Sequence, residues 1–128
     1  MPLWNEYKEI ARQRGSLAFE LFVVETTPAV GPDKQKEVLP RHLEYQKEME
    51  SAGKLFLAGP MSDDTGEQMM GAGLIVYRAE SMDQARDIAR QDPMHAEGCR
   101  TFTIRKWLVN EGSPSFETRL SDQKVILK

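Results

Sequence analysis

The chain has 128 residues and a formal net charge of −3, from 17 basic and 20 acidic side chains. A chain of this length suits one domain, which we expect to span 1–128 and to fold without disulfides or metals. The acidic balance argues against nucleic acid as a partner, because phosphate binding needs a surplus of Lys and Arg on one face.

The compartment is predicted from cysteine use and hydropathy. Cys99 is the single cysteine, so it cannot form an internal disulfide. No apolar run approaches the ~18 residues of a membrane span, and the first residues lack the apolar core of a signal peptide. We therefore expect a cytoplasmic protein without a membrane partner.

The first half of the chain predicts a helix, a strand, a second helix and a second strand. Apolar residues at helical spacing predict an N-terminal helix over 2–14, and the run Ser16–Glu25 predicts a buried strand. A second amphipathic helix is predicted between Asp33 and Ser51, with its regular part beginning near Pro40 because proline breaks a helix interior. Lys54–Ala58 then predicts a short strand that Gly59 and Pro60 end.

The second half of the chain predicts a third strand, a third helix and a fourth strand. A loop or hairpin tip is expected over Met61–Gly73, before a strand at Leu74–Arg78. Ser81 and Gln84 match a capping box, which predicts a helix ending near Gln91. Thr101–Val109 predicts a fourth strand, although Trp107 leaves its core-facing side undecided. The end of the tail, Val125–Leu127, is expected to pair as an edge or exchanged strand.

The predicted order of elements indicates the fold class. Strand–helix–strand–strand–helix–strand is typical of a ferredoxin-like α+β domain, an antiparallel sheet with two helices on one face. We place this core at about 16–109, after the N-terminal helix and before a C-terminal extension over 110–128. Nothing else in the chain is large enough to cover the other face of the sheet, so we expect a homodimer or higher homo-oligomer.

Two separated residues are candidates for proton chemistry. His42 lies within the predicted apolar stripe of the second helix, where its imidazole is either an acid–base group or a core histidine with one satisfied hydrogen bond. Asp92 precedes Pro93 and is a good helix N-cap, but a cap uses only one carboxylate oxygen. The other oxygen remains available to orient a histidine.

A metal site is the alternative for Asp92, His95 and Cys99, whose spacings of three and four fit one helical face. Gly98 interrupts such a helix, and the chain has only two histidines and one cysteine. A closed zinc site needs four ligands of this kind. We therefore expect no metal, and we expect Cys99 to be a buried small apolar residue.

Several short motifs in this order closely resemble the YCII-related (YciI-like) domain family over about Leu17 to Leu108. The motifs are Arg41-His42-Leu43, Ala52-Gly53-Lys54-Leu55, Ala58-Gly59-Pro60, Ser81-Met82-Asp83-Gln84-Ala85, Asp92-Pro93 and Ile104-Arg105-Lys106-Trp107. The resemblance implies a ferredoxin-like domain that dimerises into an α/β-barrel. It also implies an active site built on a His–Asp pair, which corresponds to His42 and Asp92. One branch of the family removes chloride from a chlorinated hydroxyquinol, and the wider fold group includes muconolactone isomerases.

The same resemblance implies a substrate-binding cleft around the pair. Its residues here would be Arg41, Gly59, Pro60, Pro93 and His95. The function it implies is proton transfer on a small aromatic-derived or cyclic organic acid, of lyase or isomerase type and without a cofactor. A non-catalytic module that binds a small ligand or partner is the alternative, with His42 as a hydrogen-bonding anchor.

Overall fold

A computed structural model describes all residues from Met1 to Lys128. It contains α1 (Trp4–Gln13), β1 (Phe19–Pro28), α2 (Pro32–Ser51), β2 (Leu55–Ser62), β3 (Met69–Tyr77), α3 (Met82–Gln91), α4 (Pro93–Ala96), β4 (Arg100–Val109), β5 (Phe116–Arg119) and β6 (Lys124–Leu127). These elements form two compact units. The larger unit, Glu20–Trp107, lies within the predicted core 16–109, and one domain over the whole chain stays a prediction.

The larger unit has the predicted ferredoxin-like α+β fold. Its sheet has the order β2-β3-β1-β4, and β3 pairs antiparallel with both β1 and β2. The core lies between this sheet and the helices, where strand residues meet one face of α3. Its buried members are Phe22, Val24, Ile75, Tyr77, Ala85, Ile88, Ala89 and Ile104. Burial of these apolar side chains holds α3 and the sheet together.

The prediction that the regular part of the second helix begins near Pro40 was wrong. Helix α2 runs without interruption from Pro32 to Ser51. Pro40 lies on its exposed side, and the Lys36 carbonyl that loses its helical donor belongs to an exposed residue. Solvent can satisfy that carbonyl, so a proline there costs less than one facing the core.

The predicted end of the second strand at Gly59 and Pro60 was also wrong. Strand β2 continues through both residues to Ser62, and Pro60 pairs with Gly73 of β3. The loop predicted over Met61–Gly73 is correspondingly short, because β3 already begins at Met69. β2 is an edge strand, and an edge tolerates a proline because one side of its backbone needs no ladder partner.

The structure shows which residues of β4 face the core. Phe102 and Ile104 pack in or against the core, whereas Arg105 and Trp107 are exposed. Trp107 therefore lies with the residues of the opposite sheet face, and the even-numbered residues of the strand face the helices.

The smaller unit comprises Met1–Phe19 and Leu108–Lys128. Helix α1 lies within the predicted range 2–14. The end of the tail pairs as a strand, as expected: β6 is antiparallel to β5 and forms one edge of a local two-stranded sheet, with Phe116 opposite Leu127. Exchange of this strand with a second copy stays a prediction. No helix in the chain is long and apolar enough to cross a membrane.

Candidate active site

The larger unit contains a cavity of about 720 Å³ between α2 and the sheet. One wall is formed by α2 residues, including Leu39, His42 and Leu43. The facing wall is formed by β2 and β3 and consists largely of glycines and apolar residues: Ala58, Gly59, Pro60, Met69, Gly71, Ala72, Gly73, Leu74 and Ile75. A concave, mostly apolar space of this volume fits a small organic ligand.

Two glycines of β3 lie where a neighbouring strand leaves little space for a side chain. A Cβ on Gly73 would lie 3.2 Å from the carbonyl oxygen of Gly59, which is tighter than an ordinary contact. Gly71 has φ +87°, and a Cβ there would lie 2.6 Å from Cγ of Pro28. The sheet wall of the cavity thus depends on residues without side chains.

His42 and Asp92 lie in direct contact beside the cavity. Nδ1 of His42 is 2.8 Å from each carboxylate oxygen of Asp92. The Asp92 side chain is fully buried and that of His42 is 15% exposed. Since a carboxylate only accepts hydrogen bonds, Nδ1 carries the proton and donates it. His42 lines the cavity, and its Nε2 has no hydrogen-bond partner in the protein.

The position of Asp92 follows from the junction of α3 and α4. Asp92 ends α3 and is the N-cap of α4, and its Oδ1 accepts a hydrogen bond from the Met94 N–H at 3.0 Å. The carboxylate therefore caps a helix and contacts His42 at the same time. The capping bond helps to hold the carboxylate in the orientation in which it contacts His42.

The inward face of α2 is only partly buried. Val38 is buried, but Leu39 and Leu43 are more than 40% exposed because they face the open cavity. Tyr45 takes an inward position instead, and its hydroxyl donates to the Ile88 carbonyl at 2.6 Å. Burial raises the pKa of Tyr45 to about 12, so this phenol stays protonated at neutral pH.

His95 also lines the cavity, but the protein uses both of its ring nitrogens. Nδ1 is 2.7 Å from the Ala89 carbonyl oxygen, which can only accept, so Nδ1 carries a proton. Nε2 is 2.9 Å from Oγ1 of Thr26 and accepts the hydroxyl proton when the ring is neutral. Burial lowers the pKa of His95, and the nearby Arg100 charge acts in the same direction. The neutral ring is therefore favoured at neutral pH.

The sequence prediction missed Arg100, which lies on the cavity wall beside His95. Its Nε donates to Oγ1 of Thr26 at 2.9 Å, and its Nη2 donates to the carbonyls of Thr26 and Gly71. The strand period could have found it, because Arg100 has the same parity as the core-facing Ile104. The predicted strand began one residue too late for that argument.

Of the five predicted substrate-binding residues, three line the cavity, namely Gly59, Pro60 and His95. The structure does not place Arg41 or Pro93 on its wall. Arg41 lies beside Pro40 on the exposed side of α2. It forms a bidentate ion pair with Glu97, which raises the pKa of Arg41. Pro93 begins α4. Arg41 and Pro93 are therefore not part of the cavity wall, although each adjoins a residue that is, namely His42 and Met94.

No group of three or more His, Cys, Asp or Glu side chains in the chain is arranged to hold a metal ion. Asp92 contacts His42, and His95 binds Thr26 and the Ala89 carbonyl. Cys99 is buried with Val38 and Met94. The three candidate ligands thus make separate contacts and do not converge on one point.

Fold and site together define a ferredoxin-like α+β domain with a His–Asp pair beside an apolar cavity. The chain belongs to the YCII-related domain family, whose model matches residues 18–108. The resemblance inferred from the short motifs is thereby confirmed.

Two similar proteins illustrate the family and the fold. Over 66 residues the chain is 33% identical to Uncharacterized protein YjpA of Bacillus subtilis (strain 168), covering 52% of this chain and 71% of that protein. The fold resembles that of 5-chloro-2-hydroxyhydroquinone dehydrochlorinase (TftG) from Burkholderia phenoliruptrix AC1100, solved in complex with 2,5-dihydroxybenzoquinone. That match has a TM-score of 0.55 and 21% identity and covers 68% of this chain and 92% of that chain.

Proposed function

We propose that this protein is a cofactor-independent enzyme, of lyase or isomerase type, that transfers a proton on a small cyclic organic acid. The observation that carries the proposal is the geometry of His42. Asp92 occupies its Nδ1, and Nε2 is left without a protein partner at the cavity wall. A histidine held in this way is arranged to accept a proton from a bound ligand.

Each atom of the pair has a distinct role in the proposed reaction. Nε2 of His42 removes a proton from carbon or oxygen of the substrate, which makes the ring an imidazolium. The buried Asp92 carboxylate fixes the starting tautomer and stabilises that cation. In an isomerase the proton returns to another atom of the substrate. In a lyase the electron pair of the broken C–H bond forms a double bond, and the leaving group departs as an anion with the electron pair of the bond that joined it to carbon.

The cavity supports a cyclic substrate. Its volume of about 720 Å³ holds a single ring with substituents, and most of its walls are apolar. The similar fold of a dehydrochlorinase solved with 2,5-dihydroxybenzoquinone gives further support, since that ligand is a six-membered ring with oxygen substituents. Elimination of chloride needs a proton acceptor and a departing anion, which is chemistry within reach of one histidine.

We also propose that the protein is a homodimer in the cytoplasm. The sheet face opposite the helices carries exposed residues of β4, including Trp107, whose surface is 47% exposed. A second copy would remove this aromatic side chain from water. Sedimentation equilibrium at micromolar concentration should give twice the mass of the chain, and a monomer would contradict this part of the proposal.

Solvent-deuterium incorporation tests the proton transfer without knowledge of the natural substrate. Chlorinated hydroxyquinols and enolisable cyclic acids are incubated with the protein in D₂O, and chloride release and deuterium content are measured. We expect at least one compound to react. Asp92→Asn should slow that reaction by about 10²-fold, because it removes the charge that stabilises the imidazolium.

The matched control is Asp87→Asn. Asp87 lies on α3, and its side chain is 65% exposed and paired with Arg90 on the surface. This variant should react at the wild-type rate. Equal rates for wild type and Asp92→Asn would contradict the proposed role of the pair. Absence of any reaction across the panel would favour the ligand-binding module instead.

A further inference from the structure

Arg100 is a cation on the cavity wall that lacks an anionic partner. Its guanidinium has five N–H donors. Three of them bond to neutral acceptors, namely the hydroxyl of Thr26 and the carbonyls of Thr26 and Gly71. Both donors on Nη1 have no acceptor in the protein, and no carboxylate lies within ion-pair distance of the side chain.

Several other arginines of the chain differ from Arg100, because they are exposed and form ion pairs with carboxylates. Examples are Arg41 with Glu97, Arg90 with Asp87, Arg105 with Glu25 and Arg119 with Asp122. Arg100 is partly buried, and burial lowers its pKa, while the charge of Asp92, which contacts His42 and not Arg100, acts in the opposite direction. Desolvating a cation that has no carboxylate in contact costs free energy, and a bound anion offsets that cost.

The charges on the cavity wall are of one sign. Lys36 and Arg100 line the cavity, whereas no Asp or Glu does. This is the reverse of the whole chain, in which acidic side chains outnumber basic ones. A concave apolar wall with only cations attracts anionic ligands over neutral ones.

The guanidinium is held rigidly. Thr26 is buried, and its hydroxyl is bound between Arg100 and His95. Gly71 presents its carbonyl from a backbone with φ +87° that favours glycine. A donor pair fixed in advance loses little conformational entropy when a planar anion binds.

We propose that Arg100 binds the carboxylate of the ligand through Nη1, so that the cavity selects cyclic carboxylic acids over their neutral analogues. This inference names the substrate class of the proposed enzyme. It rests on the proposed function only in placing the reacting end of the ligand at His42. The anionic group is held at Arg100, and the ring lies along the apolar wall. Arg100 is thus a residue that determines specificity.

A pair of ligands with nearly the same shape, one an anion and the other neutral, tests the proposal. The probes are 2-hydroxybenzoate and 2-hydroxybenzamide, with affinities measured by calorimetry at low ionic strength. We expect the wild type to bind the carboxylate at least about tenfold more tightly, as charge-assisted hydrogen bonds require. Arg100→Gln should remove this preference and leave the affinity for the amide unchanged.

Arg105→Gln is the matched control. Arg105 belongs to the same strand, but its side chain is 82% exposed and lies 4.0 Å from Glu25. It should keep the full preference. Arg100→Lys keeps the charge without the planar donor pair, so it should bind the carboxylate with an intermediate preference. This variant also gives a result if Arg100→Gln does not fold.

Equal affinities of the wild type for the two probes, or an unchanged preference in Arg100→Gln or Arg100→Lys, would overturn the proposal. So would failure of the wild type to bind the carboxylate at millimolar concentration. The outcome is separable from catalysis, because it is a binding ratio. His42→Asn should retain the preference even if the protein proves to catalyse no reaction.

Discussion

The two histidines of this chain line one cavity, yet their surroundings differ. His42 has a carboxylate on one nitrogen and no protein partner on the other. His95 has a carbonyl on one nitrogen, a hydroxyl on the other and an arginine nearby. A cavity position alone therefore does not define a catalytic histidine. What distinguishes His42 is a ring nitrogen without a protein partner and a carboxylate on the other nitrogen.

Activity should separate the two histidines most strongly. We expect His42→Asn to reduce turnover of a substrate found by the deuterium screen by 10²-fold or more, because no other group at the cavity replaces Nε2. His95→Asn should cost about tenfold or less, since His95 only positions Thr26 and Arg100. Steady-state kinetics of both variants provide the measurement. A larger loss for His95→Asn would reverse the assignment.

Stability should reveal the second role of Asp92. Asp92→Ala removes both the helix cap and the partner of His42, so the free energy of unfolding should fall by about 1–3 kcal/mol. Asp92→Asn should lose less, because an amide oxygen can still accept from the Met94 N–H. Urea unfolding of both variants compares them. If Asn costs as much stability as Ala, capping by this side chain is not important.

The rigidity of the Arg100 side of the cavity depends on Gly71. We expect Gly71→Ala to destabilise the fold by about 1–3 kcal/mol, because it combines a left-handed φ with a close approach to Pro28. Gly59→Ala is the matched control, since a Cβ there meets nothing within 4 Å. Thermal or urea unfolding should leave the Gly59 variant close to wild type. Equal stability of the two variants would contradict the argument.

The smallest expected effect is the pH dependence due to His95. Its pKa is lowered in the folded protein, so the unfolded chain binds more protons as pH falls below about 6.5. This contribution to stability is present above that pH and is lost as pH falls. His95→Asn should therefore show a weaker loss of stability between about pH 7.5 and 5.5. An unchanged slope would exclude His95 as its source.

Local patterns predicted the order of the core elements and singled out His42 and Asp92 as candidates, whereas the family resemblance implied that the two form a pair. The helical stripe identified His42, and the cap position identified Asp92. Neither Pro40 nor Pro60 ended its element, because both lie where the backbone needs no protein partner. Local propensity contains no information about which side of a helix or sheet is exposed.

Arg100 was missed because the predicted fourth strand began at Thr101, one residue later. Strand parity could have placed Arg100 on the inner face, but its hydrogen bonds could not be predicted, because Thr26 and Gly71 come from β1 and β3. β5 was missed because its four residues are exposed and show no alternation of burial. Sequence patterns record burial, so elements without a buried face leave little trace.

Nitrogen-15 NMR of histidine-labelled protein tests the central claim most directly, and His42→Asn assigns the two rings. At about pH 8 we predict that His42 carries its proton on Nδ1 and that its Nε2 resonance moves when 2-hydroxybenzoate fills the cavity. The Nε2 resonance of His95 should stay in place, because Thr26 occupies that nitrogen. A His42 ring protonated on Nε2, or a ligand response confined to His95, would contradict the account.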